Sequence, residues 1–162
     1  MPRITPCLWF DSQAEAAAKF YVSIFKNSRI VSKSHYGKTG PGPAGSVMTV
    51  VFRLEGQEFL GLNGGPHFKL TEAVSFMVNC ANQQEVDRFW KRLTADGGQE
   101  SECGWLKDKF GLSWQVVPTI LPKMLMDKDP AKRERVMQAL LPMKKINIAT
   151  LTRAYEGKAA RT

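Results

Sequence analysis

At 162 residues and 43% hydrophobic composition, the chain is long enough for one packed core and short for two independent domains, so a single domain over 1–162 is expected. The net charge of +8 lies mostly in residues 119–162, ten basic against four acidic side chains scattered along helical sequence without interleaved aromatics; a solvated helix face is expected there, not a nucleic-acid surface. No apolar run approaches the roughly 18 residues of a membrane span, the N-terminus lacks a secretory pattern, and three cysteines without a C-x-x-C pair argue against a disulfide framework or structural zinc, so a cytoplasmic protein starting near residue 1 is expected.

Residues 4–10 read as a strand, and Ser12-Gln-Ala-Glu15 follows as a capping box. Ala17, Phe20, Tyr21 and Ile24 then recur at helical spacing, and the helix ends near Asn27. Arg29–Tyr36, Ser46–Leu54 and Glu58–Leu62 are strand-like, the last two joined by a turn at Glu55-Gly56. The glycine- and proline-rich stretch Gly37–Gly45 has neither the order of a phosphate loop nor a following helix, so it reads as a mobile loop between strands. Gly64-Gly65-Pro66 reads as a linker.

About 70 residues on, the pattern returns. Ser75–Cys80 is a strand, Asn82-Gln-Gln-Glu85 a second helix start, and Val86, Phe89, Trp90 and Leu93 one helix face ending at Gly97-Gly98. Gln99–Glu102, Trp105–Lys107 and Leu112–Val117 complete the copy. The chain thus contains two strand–helix–three-strand repeats, about 3–63 and 73–118. The expected fold class is α+β, two βαβββ repeats forming a curled mixed sheet around a cavity. The extension 119–162 is helical: Thr119–Met126, then a helix capped by Asp129 with Pro130 first and Val136, Met137, Leu140 and Leu141 on its apolar face, then Ile146–Tyr155.

These repeats, with Phe20-Tyr21 and Phe89-Trp90 in their helices and the turn Asp108-Lys-Phe-Gly111, resemble the vicinal oxygen chelate superfamily of glyoxalases, bleomycin-resistance proteins and extradiol dioxygenases. More narrowly, Cys7–Asp11, Phe59–Gly65 and the string Cys103–Pro118 are similar to the PhnB-like branch, often labelled 3-demethylubiquinone-9 3-methyltransferase. The resemblance is expected to span residues 3–155, helical tail included.

Metal-binding members carry one ligand, usually His or Glu, on the first and last strand of each repeat. Strand alternation places Thr5, Cys7 and Trp9, then Phe59, Gly61 and Asn63, then Ser75, Met77 and Asn79, then Ser113, Gln115 and Val117 on the cavity side. The ligand-equivalent positions become Thr5, Gly61, Ser75 and Gln115, none of them His, Asp or Glu, so neither a metal nor another cofactor is expected. His35 and His67 read as surface residues.

The expected function is small-molecule binding, or metal-independent catalysis, in a cavity lined by Cys7, Trp9, Asn63, Ser75, Met77, Cys103, Trp105 and Gln115, with the final hairpin Cys103–Gln115 at its centre. Two alternatives stand beside it: the methyltransferase of the family label, and a metal-dependent glyoxalase- or dioxygenase-like enzyme. A homodimer is expected, as is common in the superfamily, with Val136–Leu141 as candidate surface.

Overall fold

Leu8 and Phe10 alternate with Cys7 and Trp9 along β1 (Cys7–Phe10), so one face of the first strand is apolar and buried and the other is not. That asymmetry recurs through the chain and sets its layers. The structure, a computed structural model, describes residues 3–158 and divides into two compact units, one running to Thr71 and one beginning at Glu72.

In the first unit, β1 is followed by α1 (Ala14–Ile24), β2 (Arg29–His35), β3 (Val47–Leu54) and β4 (Gln57–Asn63). The sheet order is β1-β4-β3-β2, with β1 parallel to β4 and the other pairs antiparallel. Helix α1 buries Ala14, Ala17, Ala18, Tyr21 and Ile24, and the sheet answers with Leu8, Phe10, Val50, Phe52 and Phe59. Small alanines let the helix lie close, and the Phe52 and Phe59 rings stack at 5.4 Å beneath it. Phe20, expected on the buried stripe, is only half-buried, and the stripe runs instead through Ala14 and Ala18 on its other edge.

The second unit repeats the order: β5 (Ser75–Cys80), α2 (Gln83–Leu93), β6 (Gln99–Glu100), β7 (Trp105–Lys107) and β8 (Ser113–Pro118). Its sheet order is β5-β8-β7-β6, again with the first strand parallel to the last. Val86, Phe89, Trp90 and Leu93 are the buried face of α2, as the spacing predicts. Three further helices follow: α3 (Ile120–Leu125), α4 (Pro130–Leu140) and α5 (Ile148–Tyr155). The fold class is therefore α+β, two βαβββ repeats with C-terminal helices. Among the described residues no helix is long and apolar enough to cross a membrane.

Several local expectations are corrected. Ser12 does not cap α1; the N-terminal residue is Gln13 and makes no side-chain cap bond. Instead Asn63 Oδ1, at the end of β4, accepts from Ala14 N at 2.8 Å. The second start does form, with Asn82 Oδ1 accepting from Glu85 N and Glu85 reaching back to Ala81 N. Helix α2 stops at Leu93 and passes through a 3-10 turn, Ala95–Gly97. Gly98 is required for space, because a Cβ there would sit 2.6 Å from Thr94 Cα. Gly64-Gly65 is no linker: the two amides donate to Phe10 and Asp11 carbonyls and prolong the β1–β4 pairing.

In the tail, Val136 and Leu140 are buried while Met137 and Leu141 are exposed. Val117, Leu121, Met124, Val136, Leu140, Ile146 and Leu151 form one cluster, so the end of β8 carries a second small core on the face opposite α2. Val117 is thus covered by the helical extension and lines no cavity.

Candidate functional site

Cross-strand partners share a face, so the registers decide which side chains stand together. In the first sheet Cys7 pairs with Leu60 and Trp9 with Leu62, while Leu8 pairs with Gly61 and Phe10 with Asn63. The face away from α1 therefore carries Cys7, Trp9, Leu60 and Leu62. Phe59, Gly61 and Asn63 lie on the helix side, a correction of one residue to the fourth-strand register. A Cβ on Gly61 would approach Ala14 Cβ to 3.2 Å, so the helix seats against this glycine. Leu60, the partner of Cys7, holds the place that Gln115, the partner of Met77, holds in the second repeat.

Asn63 is correspondingly structural. Besides holding α1, its Nδ2 donates to Val47 O at 3.0 Å and its carbonyl accepts from the Tyr36 hydroxyl. It lines a hollow of about 500 Å³ on the helix side of the sheet, with Asp11, Ser12, Glu15, Tyr36 and His67. The loop after β2 closes on Tyr36, where added Cβ atoms on Gly40 and Gly42 would meet the ring at 2.6 and 2.4 Å.

On the other face, Trp9 is engaged within its own unit. Its Nε1 donates to Gly65 O at 2.9 Å, and its ring meets Phe68 edge-on at 4.9 Å. Desolvation on the sheet side pushes the Cys7 thiol above its ordinary value, and burial pushes Cys80 up to about 11, so neither thiol is poised as a thiolate.

The second sheet gathers more polar chemistry. Trp105 pairs with Gln115, Lys107 with Ser113, Ser75 with Ser113, and Met77 with Gln115. Ser75, Met77, Trp105, Lys107, Ser113 and Gln115 hence share the face turned away from α2. Gln115 Nε2 donates to Ser75 Oγ at 2.9 Å, which fixes the amide between two strands. Met77 is 52% exposed. Lys107 Nζ meets Glu72 Oε1 at 2.5 Å, and the hydrogen bond from Lys107 holds the Glu72 carboxyl below its ordinary range. Ser113 is 1% exposed, and its hydroxyl has no hydrogen-bond partner among the described residues. A hollow of about 370 Å³ opens here, lined by Glu72, Gln99, Ser101, Trp105, Lys107 and Ser113.

Cys103 does not join this face. It sits at φ 55°, outside β7, and its amide donates to Met143 O at 2.6 Å while Sγ points to Leu140 O at 3.7 Å. It pins the tail to the sheet. Asp108 is likewise structural: Oδ1 accepts from Phe110 N and Leu112 N, and Oδ2 accepts from Trp114 Nε1 at 2.8 Å. Sequence reasoning gave no role to Ser113 and passed over Glu72. Ser113 was already on the inward side by alternation; Glu72 precedes its strand and carries no periodic signal.

Among the described residues no group of three or more His, Cys, Asp and Glu is placed to hold a metal ion. The oxygen and nitrogen donors that do converge, Ser75, Ser113 and Gln115, are neutral hydroxyls and an amide, a poor match for the divalent metals of the superfamily.

No curated protein matches the chain. Among solved structures, a PhnB protein from Bacillus cereus bearing the 3-demethylubiquinone-9 3-methyltransferase name is 37% identical, covers 73% of this chain and all of its own, and superposes with a TM-score of 0.66. Protein PA1353 from Pseudomonas aeruginosa (19% identity, 73% of this chain, 98% of that one, TM-score 0.60) shares the fold. So does the fosfomycin resistance protein FosX from Listeria monocytogenes (15% identity, 78% and 98%, TM-score 0.55). The 3-demethylubiquinone-9 3-methyltransferase family profile matches residues 2–117, so the helical tail, expected within the resemblance, lies beyond it. With two βαβββ repeats, a family match over most of its length and a PhnB relative of this identity, the chain belongs to the 3-demethylubiquinone-9 3-methyltransferase family.

Proposed function

We propose that this chain binds a small organic molecule on the uncovered face of its second sheet, in the hollow lined by Trp105, Lys107 and Ser113 and next to Gln115, without help from a metal. The carrying observation is the Ser113 hydroxyl, buried and without a partner among the described residues at the wall of that hollow. A buried polar group left unsatisfied costs free energy, and a ligand atom that bonds it recovers that cost. Trp105 supplies a flat apolar surface, and its cross-strand partner Gln115 stands next to it with the amide held by Ser75. Apolar walls with a few placed polar groups are what small-molecule sites use.

A fragment screen followed by two-dimensional amide NMR tests the reading. Binding fragments should move the Trp105 indole N–H and the Gln115 side-chain amide, and Gln115→Leu should weaken them. Hits that leave both resonances unmoved would place binding elsewhere.

The family name favours a second reading, methyl transfer from S-adenosylmethionine. The enzymes typical of that chemistry use an alternating α/β sheet with a glycine-rich turn after its first strand, whereas each sheet here is a four-stranded mixed one. Calorimetry with S-adenosylmethionine is expected to give no heat of binding; micromolar affinity would turn the assignment toward the family name.

A further inference from the structure

We propose that the site on the second sheet selects a monoanionic carboxylate with a flat apolar body, and that Glu72 occupies the carboxylate position until the ligand displaces it. This rests on the binding reading above and adds the ligand's charge.

The argument begins with Lys107. It pairs with Ser113 across the β7–β8 ladder, so its ammonium and the partnerless Ser113 hydroxyl rise from neighbouring positions of one face. The ammonium is already matched by a carboxylate, Glu72 Oε1 at 2.5 Å, delivered from the segment just before β5. Glu72 itself shows which chemistry fits there. Its side chain is 63% exposed against 32% for Lys107, so it closes the site from the solvent side. An exposed ion pair is held weakly, because water competes for both charges and two long side chains lose rotamer freedom. A ligand carboxylate that also bonds the Ser113 hydroxyl gains an interaction Glu72 does not make, and charge-assisted bonds of this kind are the stronger ones. Trp105, two residues along the same strand, offers its ring to the rest of the molecule.

The charge count limits the anion. Among the described residues Lys107 is the one basic residue of the lining, and Glu100, though it borders the hollow, pairs with Leu106 and turns its carboxylate to Trp90 Nε1 on the helix side, 2.6 Å away. One lysine, already faced by the Glu72 carboxylate, suits a single negative charge and disfavours a phosphate ester.

Benzoate and benzamide, alike in shape and different in charge, make the test on the full chain, read by amide NMR titration. Benzoate is expected to shift the Trp105 indole N–H and the Ser113 amide with about tenfold higher affinity than benzamide. Glu72→Gln should tighten benzoate binding several-fold and leave benzamide unchanged. Lys107→Met, its fold verified by spectral dispersion, should erase the preference. Equal affinity for the two probes at Trp105 would overturn the carboxylate inference while leaving the binding reading intact. Glu72→Gln without effect on benzoate would overturn displacement. Failure of both probes to move Trp105 would count against the carboxylate inference and the binding reading together.

Discussion

Asp108 is buried at 3% exposure and carries the last hairpin. One oxygen takes two backbone N–H groups of the turn, and the other takes the indole of Trp114, itself buried against the helix side. Removing that carboxylate leaves three donors without their acceptor, so Asp108→Ala is expected to cost at least about 3 kcal/mol in urea unfolding. A loss below about 1 kcal/mol would mean that water replaces the carboxylate at little cost. Asp127 gives a prediction with a sign. The Tyr155 hydroxyl, then the Asp129 amide, and Lys132 and Arg133 beyond them, hold its carboxyl below the ordinary value of 3.8. A lowered folded value contributes stability that is complete above 3.8 and is lost as pH falls through the folded value. The difference in Tm between wild type and Asp127→Asn should therefore be constant at neutral pH and shrink only in acid below the ordinary carboxylate range. A difference that changes between pH 5 and 7 would assign the effect to another group.

At the scale of elements, the two helix starts make a controlled comparison. Asn82 caps α2 from its own chain position, so Asn82→Ala should cost about 1 kcal/mol. Ser12 has the right residue type and spacing for the same task and does not perform it, so Ser12→Ala should be close to neutral. Equal losses in the two variants, measured by chemical denaturation, would contradict this assignment. The tail is fastened by Cys103 and Gly104, whose amides donate to Met143 and Lys144 carbonyls. Gly104 has φ 85°, and a Cβ there would lie 2.9 Å from Val116 O and 2.8 Å from Ile146 Cδ1. Gly104→Ala combines left-handed strain with overpacking and is expected to lose about 2–4 kcal/mol. Thermal melts that leave Tm unchanged would show that the strand end shifts freely to admit the methyl.

On the molecular scale, the helical extension leaves Met126, Met137 and Leu141 exposed, at 74, 38 and 59%. A second copy of the chain presents the same apolar residues and can cover them in a symmetric pair. Light scattering across a dilution series is expected to give twice the 18.1 kDa chain mass, and Leu141→Glu to shift the equilibrium toward the monomer. A mass of one chain at all concentrations rules the pair out.

The repeat and the buried face of α2 were legible in the sequence because both are local: a period of 3.6 or 2 residues is written directly into neighbouring positions. The same held for the face shared by Ser75, Met77, Trp105 and Gln115, whose strands have one apolar side. β4 was different. Phe59, Leu60 and Leu62 put apolar residues on both of its faces, so alternation could not choose, and the choice came from α1, which needs Gly61 beneath Ala14 and the Asn63 side chain at its first turn. Cys103 left the expected face for a comparable reason, since its backbone bonds to a segment some 40 residues later in the chain. Nor could any spacing rule have brought Glu72 to Lys107. The sequence by itself determined the elements, the two copies and the residues able to line a face. Which face β4 presents, and which charge meets which, only the tertiary structure decided, because those contacts form between segments whose separation along the chain carries no periodic signal.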